Sequence, residues 1–301
     1  MVSLEFLTDP AEFLRRTADH LAADPVTATV VATVTARLAD EDAAGVRRDP
    51  AVPRWWLVVT DDAGGIVGVA MRTAVGPPHA LFLLPMPEEA ALGLARALHA
   101  RGEWTAGLNG ALPATRVCAE EVAALWGGTV AVDLHTRLFE LGELVPPRPA
   151  PGRLRRADTG DLELVVAWYG AFHADADAQA GRTPGTSADA DPPDPEGLLR
   201  RIAAGEVWLW EDPSGRPVHL TGASRPQFGV ARLGPVYTPA EHRGRGYGGA
   251  TVAEVSRRLR RSGARVCLFT DQANPTSNSL YQTLGYRPVV DMVNLVVGRP
   301  S

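Results

Sequence analysis

The stretch best suited to chemistry is YTPAEHRGRGYGGA, residues 237–250, in which four glycines fall within six positions. Apolar residues precede it and a helical pattern follows it. A helix leaves its first N–H groups without partners and carries a partial positive charge at that end, and glycines let an anion approach the backbone closely. Arg243 and Arg245 add charge-assisted donors. The stretch therefore predicts a site for a phosphate-bearing ligand.

The elements around this stretch are predicted from periodicity and capping residues. The helix that follows the glycines places Val252, Val255 and Leu259 on one face and ends before Gly263. Strands are predicted at 153–157, 207–210, 218–224, 231–238, 265–270 and 287–297, and helices at 161–172, 195–204, 247–261 and 275–284.

The N-terminal half repeats this order with little shared sequence, which indicates duplication of one module. Helices are predicted at 9–21, 25–38, 88–100 and 114–125, and strands at 54–60, 66–73, 80–84, 104–109 and 130–141. The predicted fold class is α/β with a mixed sheet. Prolines at 146–152 indicate a linker between domains at 1–145 and 153–301. The Ala/Asp/Pro/Gly-rich stretch 175–194 is predicted to be a mobile loop.

A dinucleotide-binding oxidoreductase is one alternative, because Gly244-x-Gly246-x-x-Gly249 matches that fingerprint formally and Asp271 follows at the end of a strand. Residues 239–243 nevertheless separate the strand from the first glycine. The tight turns upstream predict antiparallel pairing, and too few residues follow Ala250 to complete a dinucleotide domain. These observations oppose the dinucleotide alternative.

Motifs on both sides of the loop resemble those of the GNAT acyltransferases. Arg243-Gly-Arg-Gly-Tyr-Gly248 resembles their pyrophosphate-binding motif, and Asn274-Pro-Thr-Ser-Asn-Ser-Leu-Tyr-Gln-Thr-Leu-Gly-Tyr286 resembles their second signature. The resemblance covers roughly residues 153–297. The first half is similar only in element order, so the expected architecture is two tandem GNAT-like acyl-CoA acyltransferase domains, the first of them degenerate.

The resemblance implies acetyl-CoA as co-substrate and an N-acetyltransferase that acts by direct attack in a ternary complex. Its implied roles place the pantetheine arm along the backbone of Val236, Tyr237 and Thr238, and Tyr281 as the general acid that protonates the departing thiolate. The residues expected to bind the diphosphate are Arg243, Gly244, Arg245, Gly246, Tyr247, Gly248 and Gly249. Further cofactor contacts are expected from Asn274 and Asn278, although helix capping is an equally good role for Asn274.

The general base is not evident, because the strand at 231–238 lacks the carboxylate that relatives often place there. His219, Glu241 and Asp271 are the alternatives, each acting through water. The missing base favours a second hypothesis, a non-catalytic CoA-binding or interaction module. The acceptor in the first hypothesis is an amine of a small molecule or peptide.

Composition excludes several classes of function. A net charge of −5 argues against nucleic acid as a partner. No apolar run approaches the roughly 18–20 residues of a membrane span, and the N-terminus is a poor secretion signal, so a cytoplasmic protein is expected. Cys118 and Cys267 lie in apolar segments and are expected to be buried thiols, with no metal site. The first domain lacks the glycine loop, which motivates the hypothesis that it serves as an interface, as in a homodimer.

Overall fold

The computed structural model describes residues 2–47, 49, 52–73, 80–179 and 194–299. The chain divides into two compact units. The first comprises residues 1–136 together with 290–301, and the second comprises residues 137–289. The predicted ranges 1–145 and 153–301 differ from these units in the assignment of residues 137–152 and 290–301.

The first unit contains a mixed sheet with helices packed on it. Its elements are β1 (Ser3–Leu7), α1 (Pro10–Ala23), α2 (Thr29–Ala43), β2 (Trp55–Thr60), β3 (Ile66–Arg72), β4 (Leu81–Leu83), α3 (Glu88–Ala100), β5 (Gly107–Ala111), α4 (Ala114–Trp126) and the start of β6 (Thr129–Leu141). Strands β1 to β4 pair antiparallel in chain order, and β4 pairs parallel with β5.

The second unit repeats this order of elements. They are the end of β6, β7 (Arg153–Arg156), α5 (Leu162–Gln179), α6 (Pro195–Ala203), β8 (Val207–Glu211), β9 (Pro217–Ala223), β10 (Val230–Tyr237), α7 (Tyr247–Arg261), β11 (Arg265–Asp271), α8 (Pro275–Thr283) and the start of β12 (Tyr286–Gly298). Strands β7 to β10 pair antiparallel in chain order, and β10 pairs parallel with β11.

The C-terminal half of β12 completes the sheet of the first unit. It pairs antiparallel with β5 from Met292↔Ala111 to Val296↔Gly107. Val293, Leu295 and Val297 are at most 2 % exposed and belong to the same hydrophobic core as the helices α3 and α4. This packing is the physical reason why residues 290–301 belong to the first unit although they end the chain.

In the second unit, hydrophobic cores lie on both faces of the sheet. One joins Phe139 and Leu141 of β6 to the apolar face of α7, with Val252 and Val255 fully buried. The other packs α5 and α6 against β8 and β9. Together they hold α5 and α7 against β10, the strand that leads into the glycine loop.

Most predicted elements are present, and the fold class is confirmed as a mixed α/β sheet. The predicted N-cap of α6 is present: Asp194 accepts a hydrogen bond from the amide of Glu196, and Pro195 occupies the first helical position. The strand β1 was not predicted; its burial alternates weakly, as expected at a sheet edge. Cys118 and Cys267 are buried thiols, as predicted.

The prediction of a mobile loop at 175–194 was wrong for its first residues. Helix α5 continues to Gln179, so residues 175–179 are helical. Alanine at 174, 176 and 178 favours a helix, and no glycine or proline interrupts this stretch. Asp194 caps α6, and residues 180–193 lie outside the described residues.

Candidate functional site

The candidate site begins where β10 and β11 separate. Their parallel pairing runs from Val230↔Arg265 to Leu233↔Leu268. Both strands continue past the last pair, β10 to Tyr237 and β11 to Asp271. The ends of the two strands therefore leave a gap in the sheet in which backbone groups of β10 can accept an extended ligand as an added strand.

A β-bulge in β10 coincides with the start of this gap. Opposite β9, Leu233 faces Ala223 and Val236 faces Thr221, so Gly234 and Pro235 together oppose one residue, Gly222. A Cβ on Gly222 would lie 2.4 Å from the carbonyl oxygen of Gly234. Only glycine, which has no Cβ, allows the backbone of β9 to approach the bulged residues of β10 this closely.

The glycine loop ends at a helix N-terminus whose N-cap residue is a glycine and therefore has no capping side chain. Gly246 is the N-cap of α7, with φ 81° and ψ 0°, and it has no side chain to bond the first amides. Gly244, with φ +75°, also adopts the left-handed region that favours glycine. The first turn of α7 contains no acidic residue. Its first N–H groups therefore lack a cap from the N-cap residue and are able to bind an anion.

The gap and the loop open into one cleft of about 270 Å³. All but one of the predicted site residues line this cleft: Val236, Tyr237, Thr238, Arg243, Gly244, Arg245, Gly246, Tyr247, Gly248, Gly249, Asn274 and Tyr281. Residues separated by up to 45 positions in the sequence are thus brought to one surface.

Asn278 is the exception, because its side chain holds the β11–α8 turn together. Its Nδ2 donates to the carbonyl oxygens of Asp271, Gln272 and Asn274, and its Oδ1 accepts from Thr270 Oγ1 at 2.6 Å. Asn278 is not among the residues that line the cleft. Asn274 does line it, while its Oδ1 caps α8 by accepting from the amide of Ser277 at 3.1 Å.

The two arginines of the loop differ in their partners. Arg243 donates from Nε to the carbonyl oxygen of Thr238 at 3.0 Å and from Nη2 to Oδ2 of Asp175 at 2.5 Å. Arg245 lines the cleft, and no residue of the described chain forms an ion pair with it. Arg245 is therefore the loop cation whose charge remains available to a ligand.

Tyr281 lies on α8 with its ring buried against the core and 6 % of its surface exposed. The ring packs edge-on against Tyr286, with centroids 5.9 Å apart. Burial raises the pKa of the Tyr281 hydroxyl above its usual value. The group therefore stays protonated at neutral pH, in the form able to donate a proton or a hydrogen bond to a leaving group in the cleft.

The structure narrows the alternatives for a general base. Both ring nitrogens of His219 are engaged, Nδ1 with Thr238 Oγ1 at 2.6 Å and Nε2 with Thr221 Oγ1 at 2.9 Å. Burial lowers the pKa of His219 to about 3, so the ring is a weak base. Glu241 is mostly exposed and does not line the cleft, and neither does Asp271.

Several cleft residues were missed by the sequence reasoning. Phe172, Asp175 and Ala176 of α5 line the cleft, and so does His242, which lies just before the glycine loop. Because the predicted helix ended at residue 172, Asp175 fell within the stretch that was predicted to be a loop. The helical spacing of 172, 175 and 176 was the available signal, because these positions share one helix face.

Comparisons with solved structures identify the fold. An acetyltransferase from Colwellia psychrerythraea aligns with a TM-score of 0.54 at 12 % identity, covering 99 % of this chain and 100 % of that one. A GCN5-related N-acetyltransferase from Sphaerobacter thermophilus aligns with a TM-score of 0.56 at 18 % identity, covering 99 % and 96 %. The chain has the GNAT fold. The predicted resemblance to GNAT proteins is thereby confirmed.

The tandem arrangement also has a counterpart. A tandem GNAT protein from the clavulanic acid biosynthesis pathway aligns with a TM-score of 0.55 at 16 % identity, covering 99 % of this chain and 100 % of that one. The family model described as "FR47-like protein" matches residues 219–294, which include the glycine loop and Tyr281. No curated protein matches the chain.

Neither a membrane-spanning helix nor a metal-binding cluster is found among the described residues. None of the helices there combines the length and apolar character required to cross a membrane. Nor do three or more His, Cys, Asp or Glu side chains come together there in a group able to hold a metal ion.

Proposed function

We propose that this GNAT protein is an acyl-CoA-dependent N-acetyltransferase that transfers the acetyl group of acetyl-CoA to an amine of a small molecule or peptide. The observation that carries the proposal is the convergence of three features in one cleft. These are the N-terminus of α7 with its glycine N-cap, the gap between β10 and β11, and the hydroxyl of Tyr281.

The residues present fit coenzyme A. The amides of 244–249 and the guanidinium of Arg245 suit its diphosphate. The free edge of β10 at Val236 and Tyr237, with the backbone of Thr238 that follows it, suits the amide groups of the pantetheine arm. A Cβ on Gly249 would lie 3.3 Å from Cδ1 of Leu280, which lines the cleft, so glycine at this position avoids crowding the cleft wall. When bound, acetyl-CoA supplies a thioester activated for attack by an amine.

The chain's own groups orient this reaction. The amine nitrogen forms a bond to the acyl carbon while the carbon–sulfur bond breaks, and the amine loses one proton. Tyr281 donates a hydrogen bond or a proton to the departing sulfur. The proton lost by the amine passes to solvent, because no carboxylate stands on β10 and His219 is held by two threonines.

The lack of an evident general base among the described residues favours a second candidate function, a CoA-binding module without catalysis. An enzyme without a strong base is able to acetylate amines of low pKa, because these lose their proton readily. A binding module would acetylate no amine.

A homodimer that forms through the first unit stays a prediction.

Calorimetric titration of the full chain with coenzyme A, followed by free-thiol release from acetyl-CoA across a panel of primary amines, tests the proposal. We expect saturable binding and amine-dependent thiol release. Binding without turnover on any amine would favour the non-catalytic module. Retention of NAD(P) with no heat from coenzyme A would overturn both candidates.

A further inference from the structure

Asp175 connects the last turns of α5 to the start of the glycine loop. Its Oδ2 accepts a hydrogen bond from the Tyr237 hydroxyl at 2.9 Å and another from Nη2 of Arg243 at 2.5 Å. Tyr237 ends β10, and Arg243 immediately precedes the first glycine of the loop. One carboxylate oxygen therefore joins three elements that border the cleft.

Arg243 is fixed at two points of its guanidinium group. Nε donates to the carbonyl oxygen of Thr238 at 3.0 Å, while Nη2 is held by Asp175. The first contact closes the segment between the end of β10 and the loop. Because the guanidinium is planar, holding Nη2 also sets the direction of the Nε–H group.

We propose that Asp175 is a positioning residue for the diphosphate-binding loop, and that Arg243 shapes this loop while Arg245 and the α7 amides face the ligand. The inference rests on the proposed function. It assigns the two arginines of one motif to different tasks, according to the partners each has in the described chain.

Preorganisation is the physical reason for such a residue. The loop contains two glycines with positive φ, at 244 and 246, and glycine-rich segments lose much conformational freedom when they become ordered on a ligand. A contact that already fixes the entrance of the loop lowers this cost. The pair of Asp175 and Arg243 also carries no net charge, so a carboxylate can stand beside an anion site without repelling the anion strongly.

The alternative role for Arg243, direct binding of the diphosphate, predicts the opposite change in coenzyme A affinity. If Arg243 were a direct diphosphate ligand, Asp175 would compete with the cofactor for the guanidinium. Removing the carboxylate would then free a cation and tighten binding. Positioning predicts weaker binding after the same change, so the sign of one measurement separates the two arrangements.

The experiment is calorimetric titration with coenzyme A of the full chain as wild type, Asp175→Asn, Arg243→Gln and the double variant. We expect each single variant to weaken binding about fivefold and the double variant to be no weaker than the worse single one, because the two residues act as one unit. Tyr237→Phe, which removes one donor to the same carboxylate, is expected to shift the affinity in the same direction by less.

Two control variants calibrate the result. Arg245→Gln is expected to weaken binding additively with Asp175→Asn, since Arg245 acts directly on the ligand. Glu140→Gln breaks another arginine–carboxylate pair of this unit, with Arg265 at 2.6 Å, and is expected to leave the affinity unchanged. Unchanged or tighter binding by Asp175→Asn, or additive losses in the Asp175–Arg243 double variant, would overturn the inference. A wild type that binds no coenzyme A would instead overturn the proposed function, and the inference with it.

Discussion

Nδ1 of His219 lies 2.6 Å from Oγ1 of Thr238, within the cleft of the second unit. The contact ties β9 to the residue that follows β10. A Cβ on Gly248 would lie 3.5 Å from Cε1 of the same ring, so the imidazole also supports the first turn of α7. His219 thus has a structural role under the glycine loop, with both nitrogens occupied.

This burial predicts a specific loss of stability in acid. The folded pKa of His219 is about 3, against 6.5 for the free side chain. Between these values the unfolded chain binds the extra proton, so the free energy of unfolding falls as the pH falls from 6.5 toward 3, by up to about 1.4 kcal/mol per pH unit from this group. Above pH 6.5 the group has no effect on the pH dependence.

Urea unfolding of the wild type and His219→Asn at several pH values measures this effect. The variant is expected to lose the His219 contribution to the acid slope, whatever its stability at neutral pH. Equal slopes for both proteins between about pH 6 and pH 4 would show that His219 titrates normally.

Tyr281 and Tyr286 provide a matched pair of buried hydroxyls for testing catalysis. If Tyr281 is the proton donor, Tyr281→Phe is expected to lower kcat for acyl transfer by about 10²–10⁴-fold with little change in coenzyme A affinity. The Tyr286 hydroxyl instead lies 2.7 Å from Ser256 Oγ. Tyr286→Phe is therefore expected to cost about 1 kcal/mol of stability and leave kcat unchanged. Steady-state kinetics and thermal melts of both variants check this, and an unchanged kcat for Tyr281→Phe would remove it from the mechanism.

The end of β12 is expected to stabilise the first unit. Leu295 is 1 % exposed in that unit's core, whereas Val289 on the same strand is 44 % exposed. Leu295→Ala is expected to cost about 2–5 kcal/mol and to speed hydrogen exchange of the α3 and α4 amides. Val289→Ala should change neither quantity by much. Faster exchange confined to the second unit after Leu295→Ala would contradict the assignment.

Gly246 and Gly215 have nearly the same backbone angle but different surroundings. Their φ values are +81° and +86°, and Gly215 lies in the β8–β9 turn, where a Cβ would point into open space. Alanine at either position is expected to cost about 1–2 kcal/mol of backbone strain. Only Gly246→Ala is expected to weaken coenzyme A binding, which calorimetry measures directly. Equal affinities for the two variants would argue against a diphosphate at this loop.

The sequence pattern over a few neighbouring residues was sufficient to predict α7 and the glycine loop before it. The apolar positions of α7 recur at helical spacing, Gly263 follows its end, and the helix spans 247–261 as predicted. The amides at its N-terminus are exposed by the glycines themselves, without help from distant residues. Asn274 and Pro275 likewise fix the start of α8 by a local cap.

Signals weaker than these were misread or missed. β1 is five residues long and only partly buried, so its alternation did not stand out from the chain. The end of α5 was grouped with the glycine- and proline-rich sequence after it, although its own alanines favour a helix and the turn before it stabilises the helical conformation.

The amino-acid sequence by itself determined the glycine loop and the start of α7 after it, because helix ends and glycines act over a few residues. Only the tertiary structure decided that the last strand completes the first unit and that Asp175 meets Arg243. Both outcomes join residues far apart in the chain, and such pairings depend on which faces are buried together rather than on any local preference.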